Sequence, residues 1–214
     1  MVSTVASKEP LLILCGGRSR RMGSPKPLLP FRGVPLIERL AAAGRRQPLW
    51  LAAAEQRFPN IQQVIYLSDA LPDRQGALSA ILPALQIASK QGYEGIYVHS
   101  CDTLLLPEQV ADCLQHARGS AAWRGGVAAL QDEGRDYPLL AHWSASLAEP
   151  LLRYLESGQR RVTTWLQTVP FATAPLPKQW QLLCNFNTPE EFELAMVQAE
   201  WLFARQDDWP PNFR

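Results

Sequence analysis

The sequence contains no apolar run of the roughly 20 residues that a membrane-spanning helix requires. Its first ten residues also lack the apolar core of a secretory signal peptide. The four cysteines show no CxxC spacing, which argues against a zinc site or a disulfide framework. A formal net charge of +1 argues against a general nucleic-acid binder. We therefore expect a cytoplasmic protein with reduced thiols that binds neither nucleic acid nor membranes.

Strand-like and helix-like segments alternate along the 214 residues, with no internal repeat and no linker long enough to separate domains. Such alternation predicts an α/β, Rossmann-like fold: a mostly parallel twisted sheet with helices on both faces. We expect a single domain over residues 1–205 and a poorly ordered tail over residues 206–214. The predicted strands cover residues 11–15, 49–53, 63–67, 95–99, 126–130, 139–143 and 182–184. The predicted helices cover residues 36–45, 76–90, 107–117, 147–156 and 161–167, and a last helix begins at Thr188-Pro189.

The first predicted strand ends in a glycine loop that carries at least four cations and no acidic residue. The loop contains neither a Walker A motif nor GxGxxG. Glycines let backbone N–H groups approach a phosphate or base, and cations neutralise a triphosphate and the departing pyrophosphate. The loop therefore predicts a nucleoside triphosphate site, the alternative being a surface turn with solvated arginines. Besides Arg18 and Arg20, its candidate residues are Leu14, Cys15, Gly16, Gly17, Arg21, Gly23 and Lys26.

Asp102 lies just beyond the predicted strand 95–99, in the segment Ser100-Cys101-Asp102-Thr103. Ligands of parallel α/β sheets bind beyond the carboxyl ends of the strands. A carboxylate there is costly unless it is paired, and Mg²⁺ is a natural partner because it combines a few carboxylates with substrate phosphate oxygens. The alternative is that Asp102 caps the turn that precedes Pro107. The residues alone leave both interpretations open.

Residues 14–26, LCGGRSRRMGSPK, resemble the signature of the nucleotidyltransferases that activate sugars and cofactors, written loosely as LAGGxSxRMGxxK. Within that superfamily the chain most resembles the molybdenum cofactor guanylyltransferases, over about residues 11–195. The resemblance implies transfer of GMP from GTP to molybdopterin, with Mg²⁺ as cofactor and pyrophosphate as the second product. It implies that Arg21 and Lys26 steady the triphosphate. It also implies that Asp102, in a segment similar to the family's PCDTPYIP, binds Mg²⁺.

Asp69 and Gly76 lie in a stretch similar to the family's Asp-x6-Gly-x-Leu segment, which helps to hold the nucleotide. The resemblance implies that Asp69 contacts the nucleotide. Loop aspartates are also ordinary turn formers, and Gly76 is either a glycine of close approach or the entry residue of a helix. The family often has a second glycine four residues after Gly76, where this chain has Ala80.

Two further segments imply a molybdopterin side of the site. Asn185 and Asn187 lie in NFNTPEE, which is similar to the family's VNxNTPEE; on an extended segment, amides two residues apart point the same way. Arg135, Arg160 and Arg161 lie in stretches similar to GxRxHPxxALW and LxxYLxxGxRRV, which implies a basic patch for molybdopterin. The alternatives are that Asn187 is an additional helix cap and that the arginines are solvated surface charges.

Two departures from the family pattern keep the choice of nucleotide open. Pro25 stands where guanylyltransferases commonly have Asp, and Ala52-Ala53-Ala54 stands where the family often has an Asn. A CTP-using molybdopterin cytidylyltransferase is therefore the nearest alternative, followed by a non-catalytic nucleotide-binding assembly factor. As partners we expect GTP and molybdopterin, with molybdoenzymes or cofactor-insertion proteins, in a monomer or weak oligomer.

Overall fold

The computed structural model describes residues 9–17, 21–119, 123 and 125–203. Arg18, Arg20 and the expected tail over residues 206–214 lie outside these ranges. The strands are β1 (Leu11–Leu14), β2 (Pro30–Phe31), β3 (Val34–Pro35), β4 (Leu49–Ala52), β5 (Val64–Tyr66), β6 (Gly95–Ser100), β7 (Val127–Asp132), β8 (Arg135–Ser144) and β9 (Phe171–Pro175). The α-helices are α1 (Leu36–Ala43), α2 (Ala77–Gln91), α3 (Pro107–Arg118), α4 (Ala148–Glu156), α5 (Val162–Leu166) and α6 (Pro189–Phe203). Within the described ranges, no helix has the length and apolar character needed to span a membrane.

A seven-stranded sheet forms the centre of the fold, in the order β5-β4-β1-β6-β8-β7-β9. β5, β4, β1 and β6 are mutually parallel, whereas β8 runs antiparallel to both β6 and β7, and β9 is parallel to β7. All strands of this sheet except β8 therefore share one direction. The predicted α/β fold with a mostly parallel sheet is confirmed.

Helices pack on both faces of the sheet, because apolar side chains alternate along its buried strands. In β1, Leu12 belongs to the core beneath α2, α4 and α5, while Leu11 and Ile13 face the core beneath α1. α3 and α6 cover the remainder of that second face around Ala128 and Leu130 of β7. The expected placement of helices on both faces is also confirmed.

The order β4-β1-β6 places a topological switch point at β1. The chain passes from β1 to β4 on one side, and later adds β6 on the other side. At such a point the connections diverge, and a crevice opens beyond the carboxyl ends of the two central strands. The backbone N–H of Cys101 donates to the carbonyl of Leu14 at 3.2 Å, so the segments after β1 and β6 lie side by side.

A polar cluster made of Glu9, Tyr97, Arg118 and His142, called here the Glu9 cluster, joins the chain before β1 to β6, α3 and β8. Arg118 donates from its two Nη atoms to the two oxygens of Glu9, at 2.8 and 3.1 Å, and from Nη1 to the Tyr97 hydroxyl at 2.9 Å. His142 Nε2 lies 2.9 Å from Glu9 Oε1. Burial raises the pKa of Glu9, but the hydrogen bonds and charges of His142 and Arg118 outweigh it and leave this pKa below its ordinary value.

In the C-terminal half, one predicted strand was wrong and one strand was not predicted. The expected strand at residues 182–184 is instead the end of a 3₁₀ helix, Lys178–Leu183. Its last carbonyl does not join a sheet ladder but accepts from the N–H of Leu104 at 2.8 Å. β9 was not predicted. Pro175, its last residue, is tolerated because β9 lies at the sheet edge, where only one side is paired.

Candidate active site

A cavity of about 480 Å³ opens at the switch point, beyond the carboxyl ends of β1, β4 and β6. All the predicted nucleotide-binding residues except Gly23 line it: Leu14, Cys15, Gly16, Gly17, Arg21, Lys26, Asp69, Gly76 and Asp102. Gly23 is exposed and has a φ of +66°, so its conformation explains why a glycine stands there. The other lining residues are Ala52, Ala54, Ala77, Ala80, Ser100, Cys101, Leu139 and Asn187.

An ion pair in the cavity joins the glycine loop to the segment after β6. Lys26 Nζ lies 3.3 Å from Asp102 Oδ2 and donates to Asn187 Oδ1 at 3.0 Å. Both charged side chains are only partly exposed. Three segments that are far apart in sequence thus meet around one ammonium group. We call Lys26, Ser100, Asp102, Asn185 and Asn187 the cavity cluster.

Asn185 connects the cavity cluster to Arg135. In the amide orientation that satisfies both neighbours, Asn185 donates to Asp102 Oδ2 at 3.3 Å and accepts from the Arg135 guanidinium. The expectation of two amides on an extended segment was wrong, because Asn185 has a φ of +54°. The turn nevertheless brings both Asn185 and Asn187 to the Lys26–Asp102 pair.

Asp102 is held from several sides. Its carbonyl accepts from the N–H of Phe186 at 3.0 Å, and its Oδ1 accepts from the Ser100 hydroxyl at 2.5 Å. The following turn is stabilised by Thr103, whose Oγ1 accepts from the N–H of Leu105 at 3.1 Å. Capping is therefore the task of Thr103, and the Asp102 carboxylate faces Lys26. Sequence reasoning missed Ser100, although its position two residues before Asp102 is a signal that could have found it.

The two glycines of the first loop are not required by the fold. Neither has a φ in the left-handed region. A Cβ at Gly16 would make ordinary contacts of 3.5 Å or more, and one at Gly17 would meet nothing within 4 Å. Because both residues line the cavity, their lack of a side chain leaves room for a ligand to approach the backbone.

Gly76 is different, because its φ of +97° with a ψ of 176° is a conformation that essentially only glycine adopts. It directly precedes α2, so it is the helix-entry residue that the sequence allowed for, and it also lines the cavity. Ala77 and Ala80 follow on the same side of α2. The amino end of this 15-residue helix therefore borders the cavity, where its unpaired N–H groups favour an anion.

The other two predicted arginines have different surroundings from Arg135. Arg160 Nε donates to Gln75 Oε1 at 2.8 Å, and its Nη1 donates to the carbonyl of Leu155 at 2.7 Å. It thus supports the residue that precedes Gly76. Arg161 is exposed and its carbonyl accepts from the Tyr154 hydroxyl. Only Arg135 of the three bonds to a member of the cavity cluster within the described residues.

The cavity holds thiols that stay protonated. Burial raises the pKa of Cys15 to about 12 and raises the pKa of Cys101 well above its usual range. Burial also lowers the pKa of His99, next to the cavity in β6, to about 4. A neutral thiol is a poor nucleophile, and a fully buried imidazole cannot exchange protons with a ligand. The arrangement therefore suits binding and charge neutralisation rather than covalent catalysis.

The side chains at the cavity fit a divalent cation only when a bound substrate supplies further oxygen ligands. Among the residues that the structure describes, no group of three or more His, Cys, Asp or Glu side chains could hold a metal by itself. Mg²⁺, however, is commonly bound by one or two carboxylates and by substrate phosphate oxygens. Asp102 supplies such a carboxylate at the cavity, which the glycine loop after β1 also lines.

The chain is similar to known proteins both in sequence and in fold. The family described as MobA-like NTP transferase domain matches residues 11–170. A probable molybdenum cofactor guanylyltransferase of Synechococcus elongatus is 33% identical over 203 residues, which cover 87% of this chain and 97% of the relative. The molybdenum cofactor guanylyltransferase of Rhodobacter capsulatus is 31% identical over 192 residues, covering 86% and 93%.

Among solved structures, the molybdopterin-guanine dinucleotide biosynthesis protein A of Archaeoglobus fulgidus superposes with a TM-score of 0.69 at 20% identity. The match covers 92% of this chain and all of that protein, and it shows a common fold. The family match and the sequence relatives show that the chain belongs to the MobA-like NTP transferases, in the family of the molybdenum cofactor guanylyltransferases.

Proposed function

We propose that this protein transfers GMP from GTP to molybdopterin, forms the guanine dinucleotide cofactor and releases pyrophosphate in a Mg²⁺-dependent reaction. The observation that carries the proposal is the contact of Lys26 with both Asp102 and Asn187 inside the cavity. It joins the predicted nucleotide half of the chain to the predicted molybdopterin half. Family membership supports the reaction class.

The nucleotide side of the site would hold GTP by backbone and charge. Gly16 and Gly17 leave the loop backbone open to the ligand, and the amino end of α2 favours the negative phosphates. Arg21 and Lys26 would neutralise the triphosphate as charge shifts to the leaving pyrophosphate. Asp69 lines the same cavity and would contact the nucleotide.

Asp102 would hold Mg²⁺ together with phosphate oxygens of the substrate. When bound, the ion would neutralise negative charge on the phosphates during transfer. The acceptor phosphate of molybdopterin is already ionised at neutral pH, so the protein needs no general base. The neutral His99 and the protonated cavity thiols agree with this requirement, because positioning and electrostatics dominate such transfers.

The molybdopterin side would be formed by Asn185, Asn187 and Arg135, with Arg160 and Arg161 farther out. Amides both donate and accept, which suits a pterin ring or the edge of a phosphate. We also propose that the protein works in the cytoplasm as a monomer or weak oligomer. Its product would serve molybdoenzymes or cofactor-insertion proteins.

The experiment that tests the function presents molybdopterin with GTP, CTP or ATP separately, with Mg²⁺, and measures pyrophosphate and the dinucleotide product. Turnover with GTP supports the proposal. Turnover with CTP alone would assign a cytidylyltransferase, in keeping with Pro25 and with the alanines at the cavity edge, which have no polar side chain to read a base. No turnover with any nucleotide would favour a non-catalytic assembly factor.

A further inference from the structure

Ser100 belongs to the cavity but has no role in the function proposed above. It is the last residue of β6, it is buried, and it lines the cavity beside Cys101 and Asp102. Its hydroxyl donates to Asp102 Oδ1 at 2.5 Å. A short hydrogen bond from a hydroxyl to a carboxylate is about twice as strong as one between neutral groups.

The two oxygens of Asp102 have different kinds of partner. Oδ2 contacts Lys26 and Asn185, both of which are proposed to bind substrate. Those contacts must be shared or exchanged when phosphates enter the cavity. Oδ1 contacts Ser100, the single partner of this oxygen among the described residues, and Ser100 belongs to the rigid sheet. The Ser100 bond, in contrast, involves no group that is proposed to bind substrate.

We propose that Ser100 is a positioning residue for Asp102: it holds Oδ1 against the sheet and so presents Oδ2 to the cation. This inference rests on the proposed function, because it assumes that Asp102 binds the cation. Hydrogen bonds to the outer side of a ligating carboxylate fix its orientation, and their loss commonly weakens metal binding or activity about 10- to 100-fold. The backbone of Asp102 is held separately by Phe186, so the effect of Ser100 concerns the side-chain torsions.

The test uses Ser100→Ala, measured with Mn²⁺ as the probe ion. Mn²⁺ binding is titrated by electron paramagnetic resonance in the presence of a GTP analogue that cannot be cleaved between the α- and β-phosphates. We expect Ser100→Ala to weaken Mn²⁺ binding by about 10-fold and to lower kcat by about 10- to 100-fold. The KM for GTP should change by less than about threefold, because Ser100 acts through Asp102. Ser100→Thr, which keeps the hydroxyl, should restore most of the Mn²⁺ affinity and most of kcat.

A double-mutant cycle with Asp102→Asn separates positioning from a structural role. If Ser100 acts through the carboxylate, Ser100→Ala should cause no further loss in the Asp102→Asn background. The matched control is Ser144→Ala at the opposite end of the β6–β8 pair, where the hydroxyl bonds to the Glu94 carbonyl and to Ser146. This control should leave Mn²⁺ binding and kcat unchanged.

Two results would overturn the inference. One is an unchanged Mn²⁺ affinity in Ser100→Ala. The other is an equal loss of kcat when Ser100→Ala is introduced into the wild type and into Asp102→Asn, together with a lower melting temperature. The outcome for the proposed function is read separately. If wild-type protein transfers no nucleotide, that function fails, whereas the Mn²⁺ titration still decides the role of Ser100.

Discussion

The cavity cluster and the Glu9 cluster are two polar clusters that share strand β6 and yet differ in how their charges are satisfied. Tyr97 of β6 belongs to the Glu9 cluster, and Ser100, three residues later, belongs to the cavity cluster. In the Glu9 cluster, both carboxylate oxygens receive an Arg118 fork, and His142 adds a further bond. In the cavity cluster, Asp102 and Lys26 line an open space of about 480 Å³.

The difference shows that the surroundings of an ion pair indicate whether its role is structural or functional. The Glu9 cluster joins the chain before β1 to β6, α3 and β8, and none of its four members lines the cavity at the switch point. Lys26, the ion-pair partner of Asp102 Oδ2, lines a ligand-sized space instead. We therefore expect changes in the Glu9 cluster to alter stability, and changes in the cavity cluster to alter binding and turnover.

The largest effect is expected for Asp102→Asn, which keeps the shape of the side chain and removes its charge. Transfer should fall by at least about 10²-fold, because the carboxamide is a poor ligand for Mg²⁺. The melting temperature should stay close to that of the wild type. Steady-state pyrophosphate release and calorimetry measure the two quantities. Asp136→Asn, at an exposed aspartate that bonds to Gln131, is the matched control. Normal turnover in Asp102→Asn would show the metal assignment to be wrong.

Glu9→Gln should produce the opposite pattern. The amide can accept only part of the Arg118 fork and leaves a partly buried guanidinium poorly paired, so the free energy of unfolding should fall by about 1–3 kcal/mol. Urea denaturation gives this value, and kcat should stay within about twofold. A loss of turnover without a loss of stability would contradict the separation of the two clusters.

Arg135→Ala tests how far the cavity cluster extends towards molybdopterin. Removing the donor to Asn185 should raise the KM for molybdopterin by about 10-fold, the size of one charge-assisted hydrogen bond at an exposed site. Arg161→Ala is the comparison: Arg161 is exposed, as Arg135 is, but among the described residues it makes no bond to the cavity cluster, so its removal should change this KM by less than about threefold. Steady-state kinetics at saturating GTP measure both values. Equal effects would mean that the basic patch acts as a whole.

Per pH unit, the smallest effect is the dependence of stability on pH, which arises from His99 and His142 in the sheet. Burial lowers the pKa of His99 to about 4 and lowers the pKa of His142 below its ordinary value. The unfolded chain therefore binds protons first as the pH falls below about 6.5, so stability should decrease by about 1 kcal/mol per pH unit between about 6.5 and 4. Below about 4.5, protonation of Glu9 should add to the loss, because its folded pKa is also depressed.

Denaturation curves at pH 7, 5.5 and 4.5 measure this slope. His99→Gln removes one titrating group and should make the slope shallower. A slope that is identical in the variant and the wild type would mean that His99 is protonated equally in both states.

Much of the fold was predictable because most of its strands and helices follow from the order of apolar and polar residues within each segment. The apolar runs of β1, β4 and β6 and the amphipathic pattern of α2 lie close to the expected ranges. The helix start at Thr188-Pro189 was also visible, and Thr188 Oγ1 indeed accepts from the N–H of Glu191 at 3.3 Å. β9 and the 3₁₀ helix before Cys184 were not predicted, because pairing at an edge and bonds to a distant loop decide their conformation.

The sequence by itself determined the alternation of strands and helices, the cationic glycine loop after β1 and the carboxylate after β6. These depend on residue type and spacing within about ten residues of chain. Only the tertiary structure decided that Lys26 meets Asp102 and Asn187, which lie 76 and 161 residues away, and that Ser100 and Arg135 complete the same network. Contacts over such separations follow from the strand order around the switch point at β1, and no local pattern encodes that order.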